Sequence, residues 1–305
     1  MPSDRAKSSV ASHEARNMQL CHHPQKSKMA FEVFIPTWNS ARTLDKCLQS
    51  IKDTITNADI SACMHLVDRF STDETADIAK KFGAEVHSAD LNLGQARTLM
   101  CKLARNEWFL MVDSDVYLGK DWFKNIVQQR DELVKSECKV GAVQSTVRAR
   151  HQVLQDDLLA AHNAFVSWKE TPRMSYPIKN PQRMLTCAVL LRKEACEGFH
   201  SNANAYEDYE LAKHIQRKGF DVYVIEGDAE HDIVVTREGI KKRCRCSGAA
   251  MHKHGEVPFV RLLASAIYVP VFKAPWKCKL LVFLMYWNYL IGWVRQEKYG
   301  EMPWV

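Results

Sequence analysis

The sequence has no apolar run of bilayer-spanning length, no internal repeat and no low-complexity linker. Those absences argue against an integral helical membrane protein, a solenoid and a chain of tethered modules. Its first 28 residues, MPSDRAKSSVASHEARNMQLCHHPQKSK, are polar and lack the apolar core of a secretion signal. They read as a mobile polar tail on a chain that stays cytoplasmic, touching the inner membrane face from that side. The ten cysteines follow no framework spacing. That favours a reducing compartment, with most thiols buried as small apolar groups.

What is present is an ordinary globular composition. The 305 residues are 46% hydrophobic and 26% charged, enough to bury a real core in one large domain or two smaller ones. The net charge of +6 is unevenly placed, since residues 237–305 hold 12 Lys and Arg against 4 Asp and Glu. A basic end suggests an anionic neighbour, phospholipid or nucleic acid. No recognised nucleic-acid module is present, so nucleic acid is not expected as a partner.

Strand and helix signals alternate from residue 31 onward. FEVFIP (31–36) is a short strand of aromatic and β-branched residues, stopped by Pro36. ARTLDKCLQSIKDTI follows, with Leu44, Cys47, Leu48 and Ile51 at helical spacing. CMHLVD (63–68) is a second strand. STDETADIAKKFG is a second helix, with Ser71 as N-cap, Glu74 closing a capping box and Gly83 as the stop. AEVHS, GQARTLMCKLAR and EWFLMVD supply a third strand, a third helix and a fourth strand. This alternation predicts an α/β fold, a mostly parallel sheet wound with helices. Ligands of such sheets sit beyond the carboxyl ends of the strands, so Asp68, Asp113 and Asp115 are expected on one rim.

WFLMVDSDVYL (108–118) runs large apolar residues straight into Asp113-Ser114-Asp115. Two carboxylates one residue apart repel each other and raise one pKa unless something positive waits there. A hard divalent cation with oxygen ligands meets that need. An N-cap beside a solvated turn acid accounts for most D-x-D pairs, but the apolar run and the rim position favour metal. Two chemistries use such a pair. In phosphatases of the haloacid dehalogenase type the first Asp is a nucleophile; Tyr117 stands where that motif needs Thr or Val, and the motif belongs on the first strand. In metal-assisted nucleotide-sugar transfer, the cation binds the diphosphate and offsets charge on the leaving group.

A second constellation favours the transfer chemistry. YEDYELAKHIQRKGFDVYVIEGDAEHD (206–232) opens with Glu207-Asp208 and continues as an amphipathic helix stopped by Gly219. A strand, DVYVI, then leads to His231. First-turn acids favour the helix dipole and need no further reason, but that account leaves unexplained a His one strand later, placed to meet the same metal. Here the chain resembles the family 2 glycosyltransferases, which have the GT-A fold, over about residues 31–235. The segments that carry the resemblance, in order, are IPTWNSARTLDKCLQSI, VDRFSTDET, NLGQARTLMCKLARNEWFLMVDSD, CAVLLRKEACEGF, YEDYEL, KGFDVYV and His231.

The resemblance implies a role for each matching residue. Thr37 and Asp68 would hold the nucleoside of a UDP- or GDP-linked donor, with Pro36, Asn39 and Ser114 also on the nucleotide-sugar, and Arg97 near the diphosphate or base. Asp115 would bind Mn²⁺ or Mg²⁺. Asp113 would assist directly, through water or through the ribose, and His231 would complete the metal or diphosphate site. Asp208 would be the general base, with Glu207 on the acceptor side. A carboxylate in hydrogen-bond reach can take the proton of an attacking hydroxyl, and attack opposite a metal-held diphosphate inverts the anomeric carbon. The implied activity is inverting, metal-dependent hexosyl transfer to a lipid-linked glycan, glycolipid or polysaccharide. A catalytically inert nucleotide-sugar or glycan-binding protein is the alternative outside catalysis. Arg69-Phe70 depart from the acid and glycine of many relatives. The Q-x-x-R-W signature of processive synthases is absent, which argues for adding one sugar. RCRC (243–246) lies in roughly that region, where its arginines could meet the diphosphate.

A catalytic domain is expected over 29–235, divided into a donor-binding half (29–118) and an acceptor half (119–235), with a basic, apolar helical extension over 236–305. LLVFLMYWNYLIGWV (280–294) has 15 residues without a charge, about 22 Å of helix against a ~30 Å hydrocarbon core. It suits a buried core helix, a dimer contact or a helix in the bilayer interface. LLASAIYVPVF before it, and lysines 273, 277 and 279, favour peripheral membrane contact through 257–295. Cys244, Cys246, His252 and His254 do not have the spacing of the usual structural zinc sites, and read as incidental on a basic helix. Within 151–184, Trp168 and Tyr176 could stack on a sugar face, although aromatics at such spacing are more often core.

Overall fold

The computed structural model describes residues 31–136, 138–153, 176–181, 184–255 and 257–296. The expected N-terminal tail and Trp168 lie outside them. β1 (Phe31–Thr37) is buried at every position and pairs in parallel with β2 (Ala62–Asp68) and β4 (Trp108–Val112). Between these strands run α1 (Ala41–Asn57), α2 (Thr75–Lys81), β3 (Glu85–Ser88) and α3 (Leu93–Leu103). α1 buries Leu44, Cys47, Leu48 and Ile51, the stripe its spacing predicts.

β5 (Val116–Leu118), α4 (Trp122–Lys135), β6 (Val140–Ser145), β7 (Arg148–Val153), β8 (Ile178–Lys179) and β9 (Ala188–Arg192) follow. Then come α5 (Lys193–Cys196), α6 (Glu207–Arg217), β10 (Asp221–Ile225) and β11 (Ala229–Val235). The main sheet runs β3-β2-β1-β4-β9-β6-β10-β8. It is parallel from β3 to β4 and between β6 and β10, while β9 and β8 run antiparallel to their neighbours. The chain is therefore an α/β protein with a mostly parallel sheet. α1 and α4 pack with one apolar cluster and α3 and α6 with another, so helices cover both faces.

The capping box expected on α2 does not form. Ser71 turns back to donate through its backbone N–H and hydroxyl to Asp68. Asp73 takes over, accepting from Thr75 N at 3.1 Å and from Ala41 N at 3.0 Å, so one carboxylate ties together the starts of α1 and α2. Gly83 ends the helix region at φ +69°, a conformation that costs glycine little. A genuine capping box sits instead on α3, where Asn92 and Gln95 bond reciprocally.

A second sheet, β5-β11-β7, lies beyond the carboxyl end of β4. Its register sets His231 opposite Val116, the residue after Asp115. The C-terminal helices are α7 (Arg237–Lys253), α8 (Phe259–Tyr268) and α9 (Lys279–Arg295), which enclose their own small apolar clusters. Gly248 lies against the Tyr289 backbone and Gly292 against that of Arg245, so α7 and α9 touch where neither has a side chain to hold them apart. No helix among the described residues is long and apolar enough to cross a membrane.

Candidate active site

The rim where β1, β2 and β4 end opens into a cleft of about 500 Å³. Parallel pairing puts Thr37 beside Asp68, and Thr37 Oγ1 donates to Asp68 Oδ1 at 2.9 Å. Ser71 N (2.8 Å) and Ser71 Oγ (2.6 Å) occupy the rest of that carboxylate. Thr37 and Asp68 are buried behind the cleft lining, whereas Pro36 and Asn39 are part of it. Asn39 sits at φ +48° and its side-chain oxygen accepts from Thr72 N at 2.9 Å, so the two loops after β1 and β2 hold one another.

The acidic pair splits into two environments. Asp113 is bonded by Arg97, an arginine on α3 that is 1% exposed, through a charge-assisted hydrogen bond from Nη2 to Oδ1. Asp115 Oδ2 lies 3.1 Å from His231 Nε2. Burial lowers the His231 pKa, but its hydrogen bond to the Asp115 carboxylate and the charges of Asp115 and Asp113 outweigh it and raise it. Ser114 Oγ donates to Ser40 Oγ at 3.0 Å. Beneath, the Cys47 thiol donates to Asp113 O at 3.4 Å, and burial followed by the two acids pushes its pKa well up.

A divalent cation fits the Asp115–His231 pair. Octahedral ligand atoms near 2.1 Å from the ion lie about 3 Å apart at neighbouring positions, close to the 3.1 Å found. Asp113 faces the same cleft but gives one oxygen to Arg97.

Glu207 and Asp208 reach the cleft through a close helix approach. Gly94, in the first turn of α3, leaves no room for a Cβ against Ser201 and Ala203. That contact lets Asn92 Nδ2 donate to Asn202 Oδ1 (2.6 Å) and Leu93 N to Asn204 Oδ1 (3.2 Å). Tyr206, at φ +69°, then turns the chain into α6. Glu207 and Asp208 occupy its first turn, each 7% exposed and both lining the cleft. Burial, then the charge of Asp208, pushes the Glu207 pKa up to about 8, against the pull of Arg97. Asp208 Oδ1 accepts from Tyr209 N at 2.7 Å.

The sequence reading missed Trp38, Ser40, Arg42 and Tyr206, all part of the lining. Arg42 lay within the quoted IPTWNSAR stretch but read only as helix. Its Nη1 lies 3.3 Å from Asp232 Oδ2, which also accepts from Tyr117 Oη at 2.8 Å. Tyr117, the misfit for the phosphatase motif, thus fastens β5 to the strand carrying His231. Arg243 lines the cleft, whereas Arg245 turns away to bond Asn288 at 3.0 Å. Of the two RCRC arginines, Arg243 is thus the one that faces the cleft. Cys246 lines the cleft, His252 packs on Trp293, and His254 Nε2 lies 3.3 Å from Glu210 Oε1; these do not join Cys244 in a ligand cluster among the described residues.

Poly(ribitol-phosphate) beta-N-acetylglucosaminyltransferase TarS of Staphylococcus aureus is 31% identical over 112 residues, 34% of this chain but 19% of TarS. The chain thus matches about a fifth of that relative's length. The TarS 1–349 structure in complex with UDP superposes with a TM-score of 0.50 at 15% identity, covering 88% of this chain and 90% of that one. Mannosyltransferase PcManGT from Pyrobaculum calidifontis, in complex with GDP-Man and Mn²⁺, gives a TM-score of 0.52 at 16% identity over 87% and 73%. These likenesses show the fold. The family model described as glycosyl transferase family 2 matches residues 32–194, more than half of the 305-residue chain, and the chain belongs to that family.

Proposed function

We propose that this glycosyltransferase moves a hexosyl group from a UDP- or GDP-linked sugar to an acceptor hydroxyl, with inversion and with Mn²⁺ or Mg²⁺ bound. The observation that carries the reading is one cleft holding the Asp115–His231 pair together with buried Asp208. The donors and the Mn²⁺ named for the TarS and PcManGT structures support it by likeness of fold. Asp115 and His231 would hold the cation, which when bound offsets charge on the departing diphosphate. Arg42 and Arg243 add positive charge to the same cleft. Asp208 takes the proton of the acceptor hydroxyl as attack proceeds, and Glu207, kept protonated to about pH 8, adds no second charge beside it. Asp208→Asn should reduce turnover by ~10²–10⁴-fold and leave donor affinity nearly unchanged. Retained turnover removes Asp208 from the role.

The acceptor class we favour is lipid-linked glycan or glycolipid, reached from the cytoplasmic face. The C-terminal helices support this by presenting their apolar stripes outward. Val260, Leu263 and Ile267 on α8, and Leu280, Phe283, Leu284, Trp287 and Val294 on α9, are all exposed at helical spacing. Phe272 and Trp276 between the helices are exposed too, beside Lys273, Lys277 and Lys279. The inward side of α9 buries Leu281, Val282 and Leu290 along with Asn288 and Gly292, so these outward apolar residues are surplus to its own packing. Apolar outward with flanking lysines matches an anionic bilayer surface. The full chain should float with vesicles of anionic phospholipid and stay behind with neutral ones; equal behaviour removes the membrane from the proposal.

A further inference from the structure

Away from the donor cleft lining, β2 and β3 carry three side chains that no step of transfer uses. Strand alternation puts His65, Glu85 and His87 on one face of the sheet. The parallel register sets His65 beside Glu85, with His87 two residues further along the edge strand β3. His65 Nδ1 lies 3.3 Å from His87 Nε2 and 3.4 Å from Glu85 Oε2, while His87 Nε2 lies 3.6 Å from Glu85 Oε1. A cation binding imidazole and carboxylate tetrahedrally at 2.0–2.1 Å holds its ligand atoms about 3.3–3.4 Å apart. The His65–His87 and His65–Glu85 separations match two edges of one face of that tetrahedron. His87 meets the other Glu85 oxygen. With one oxygen per carboxylate the three ligand atoms lie within 4.8 Å of one another, so a small turn of the exposed Glu85 carboxylate closes the third edge.

From this geometry we infer that His65, Glu85 and His87 form a second cation site, selective for zinc-like transition metals and separate from the donor cleft. Among the described residues, no other set of three His, Cys, Asp or Glu side chains brings its ligand atoms this close. The rings are held in place before any ion arrives. His65 stacks on buried Phe34 at 4.8 Å and 15°, and His87 stacks on His65 at 5.5 Å and 28°. Burial lowers the His65 pKa more than Glu85 raises it, which favours the neutral imidazole a metal requires. Glu32, on the same face, is occupied by the backbone N–H groups of Arg105 and Asn106 at 2.7 and 2.9 Å. That leaves three protein ligands, with Glu85 toward solvent and the fourth position for water. Two imidazoles and one carboxylate suit Zn²⁺ in preference to Mg²⁺, which favours an all-oxygen shell. The ion would cross-link the edge strand to β2, the strand that ends in Asp68.

The test uses the full chain, stripped of metal and titrated with zinc chloride by calorimetry, with thermal denaturation in parallel. Glu85→Gln and His87→Gln replace side chains that are 64% and 24% exposed, so both variants keep the fold, which circular dichroism checks. One zinc equivalent should bind to the wild type and raise its Tm. It should weaken at least ~10-fold in both variants, since loss of even a supporting partner of a ligand costs that much. Asp115→Ala, which strips a ligand from the donor cleft, should keep this equivalent. Equal zinc affinity in His87→Gln and wild type, or loss of the same equivalent in Asp115→Ala, overturns the inference. No binding at all also overturns it and leaves a hydrogen-bonded imidazole pair on a sheet edge. Each result leaves the proposed transfer reaction untouched.

Discussion

Arg97 on α3 grips Asp113 at the end of β4, so the two carboxylates of the D-S-D turn do unlike work. Arg97 is 1% exposed, and its Nε and Nη1 find no hydrogen-bond partner among the described residues. Burial disfavours the guanidinium, yet the charge of Asp113, joined by that of Glu207 once it ionises at high pH, overcomes that cost and raises its pKa. Asp113 is thereby anchored on an arginine, and Asp115 is the acid left to face His231. Removing one partner of such a pair strands the other. Arg97→Met should lower the unfolding free energy by ~3–5 kcal/mol in urea denaturation, and a loss within error would show that the pair is not structural.

Asp68 gathers three hydrogen bonds, from Thr37 Oγ1, Ser71 N and Ser71 Oγ, at a position 3% exposed. Asp68→Ala leaves two hydroxyls and an N–H without this acceptor, each costing ~1–3 kcal/mol where it stays buried. The loop that braces Asn39 loosens with it. The expected outcome is reduced stability together with weaker nucleotide binding. Weaker binding at unchanged stability would instead make Asp68 a pure ligand contact.

Glu207 sets a pH dependence whose sign follows from its environment. Its folded pKa is raised from 4.5 to about 8, by burial first and the Asp208 charge second. Between those values the folded chain holds a proton that the unfolded chain has lost. Stability therefore falls as pH rises through that window and levels off above it. Glu207→Gln cannot ionise, so its Tm should gain on the wild type from pH 5 to pH 8 in chelator-containing buffer. A constant Tm difference across that range would contradict the raised pKa.

The close contact of α7 with α9 depends on hydrogen atoms at two positions. A Cβ added at Gly292 would lie 2.0 Å from Arg245 O, and one at Gly248 would lie 2.0 Å from Tyr289 O. Gly292→Ala forces the helices apart and should cost at least ~1–3 kcal/mol. Faster proteolysis after residue 236, with the preceding domain intact, is the readout. Unchanged proteolysis would show that the helices can separate without loss.

Local pattern made much of this legible. Apolar runs ending near Asp68 and Asp113, and the Leu44, Cys47, Leu48 and Ile51 stripe, place β2, β4 and α1 nearly where they lie, while β1 continues through the expected stop at Pro36 to Thr37. The acidic residues of the rim follow from strand order alone. Pairing between distant segments was not legible. AVLLR is apolar on both faces, so nothing in it states that β9 enters the sheet antiparallel between β4 and β6. Likewise, His231 meets Asp115 only because β11 pairs with β5 in one register, and that register is no property of either segment. The α2 cap failed for a related reason: the Ser71 hydroxyl, which a cap needs as an acceptor of helix N–H groups, instead accepts from Asn39 N and donates to Asp68.

The proposed donor site turns on the Asp115–His231 pair, 3.1 Å apart. UDP and GDP titrated into the purified protein, with and without Mn²⁺ and alongside Asp115→Ala, test it directly. One nucleotide should bind with Mn²⁺, bind far more weakly without it, and be lost in Asp115→Ala. Binding indifferent to both metal and substitution, or no binding under any condition, would contradict it and return Asp113 and Asp115 to the role of turn acids.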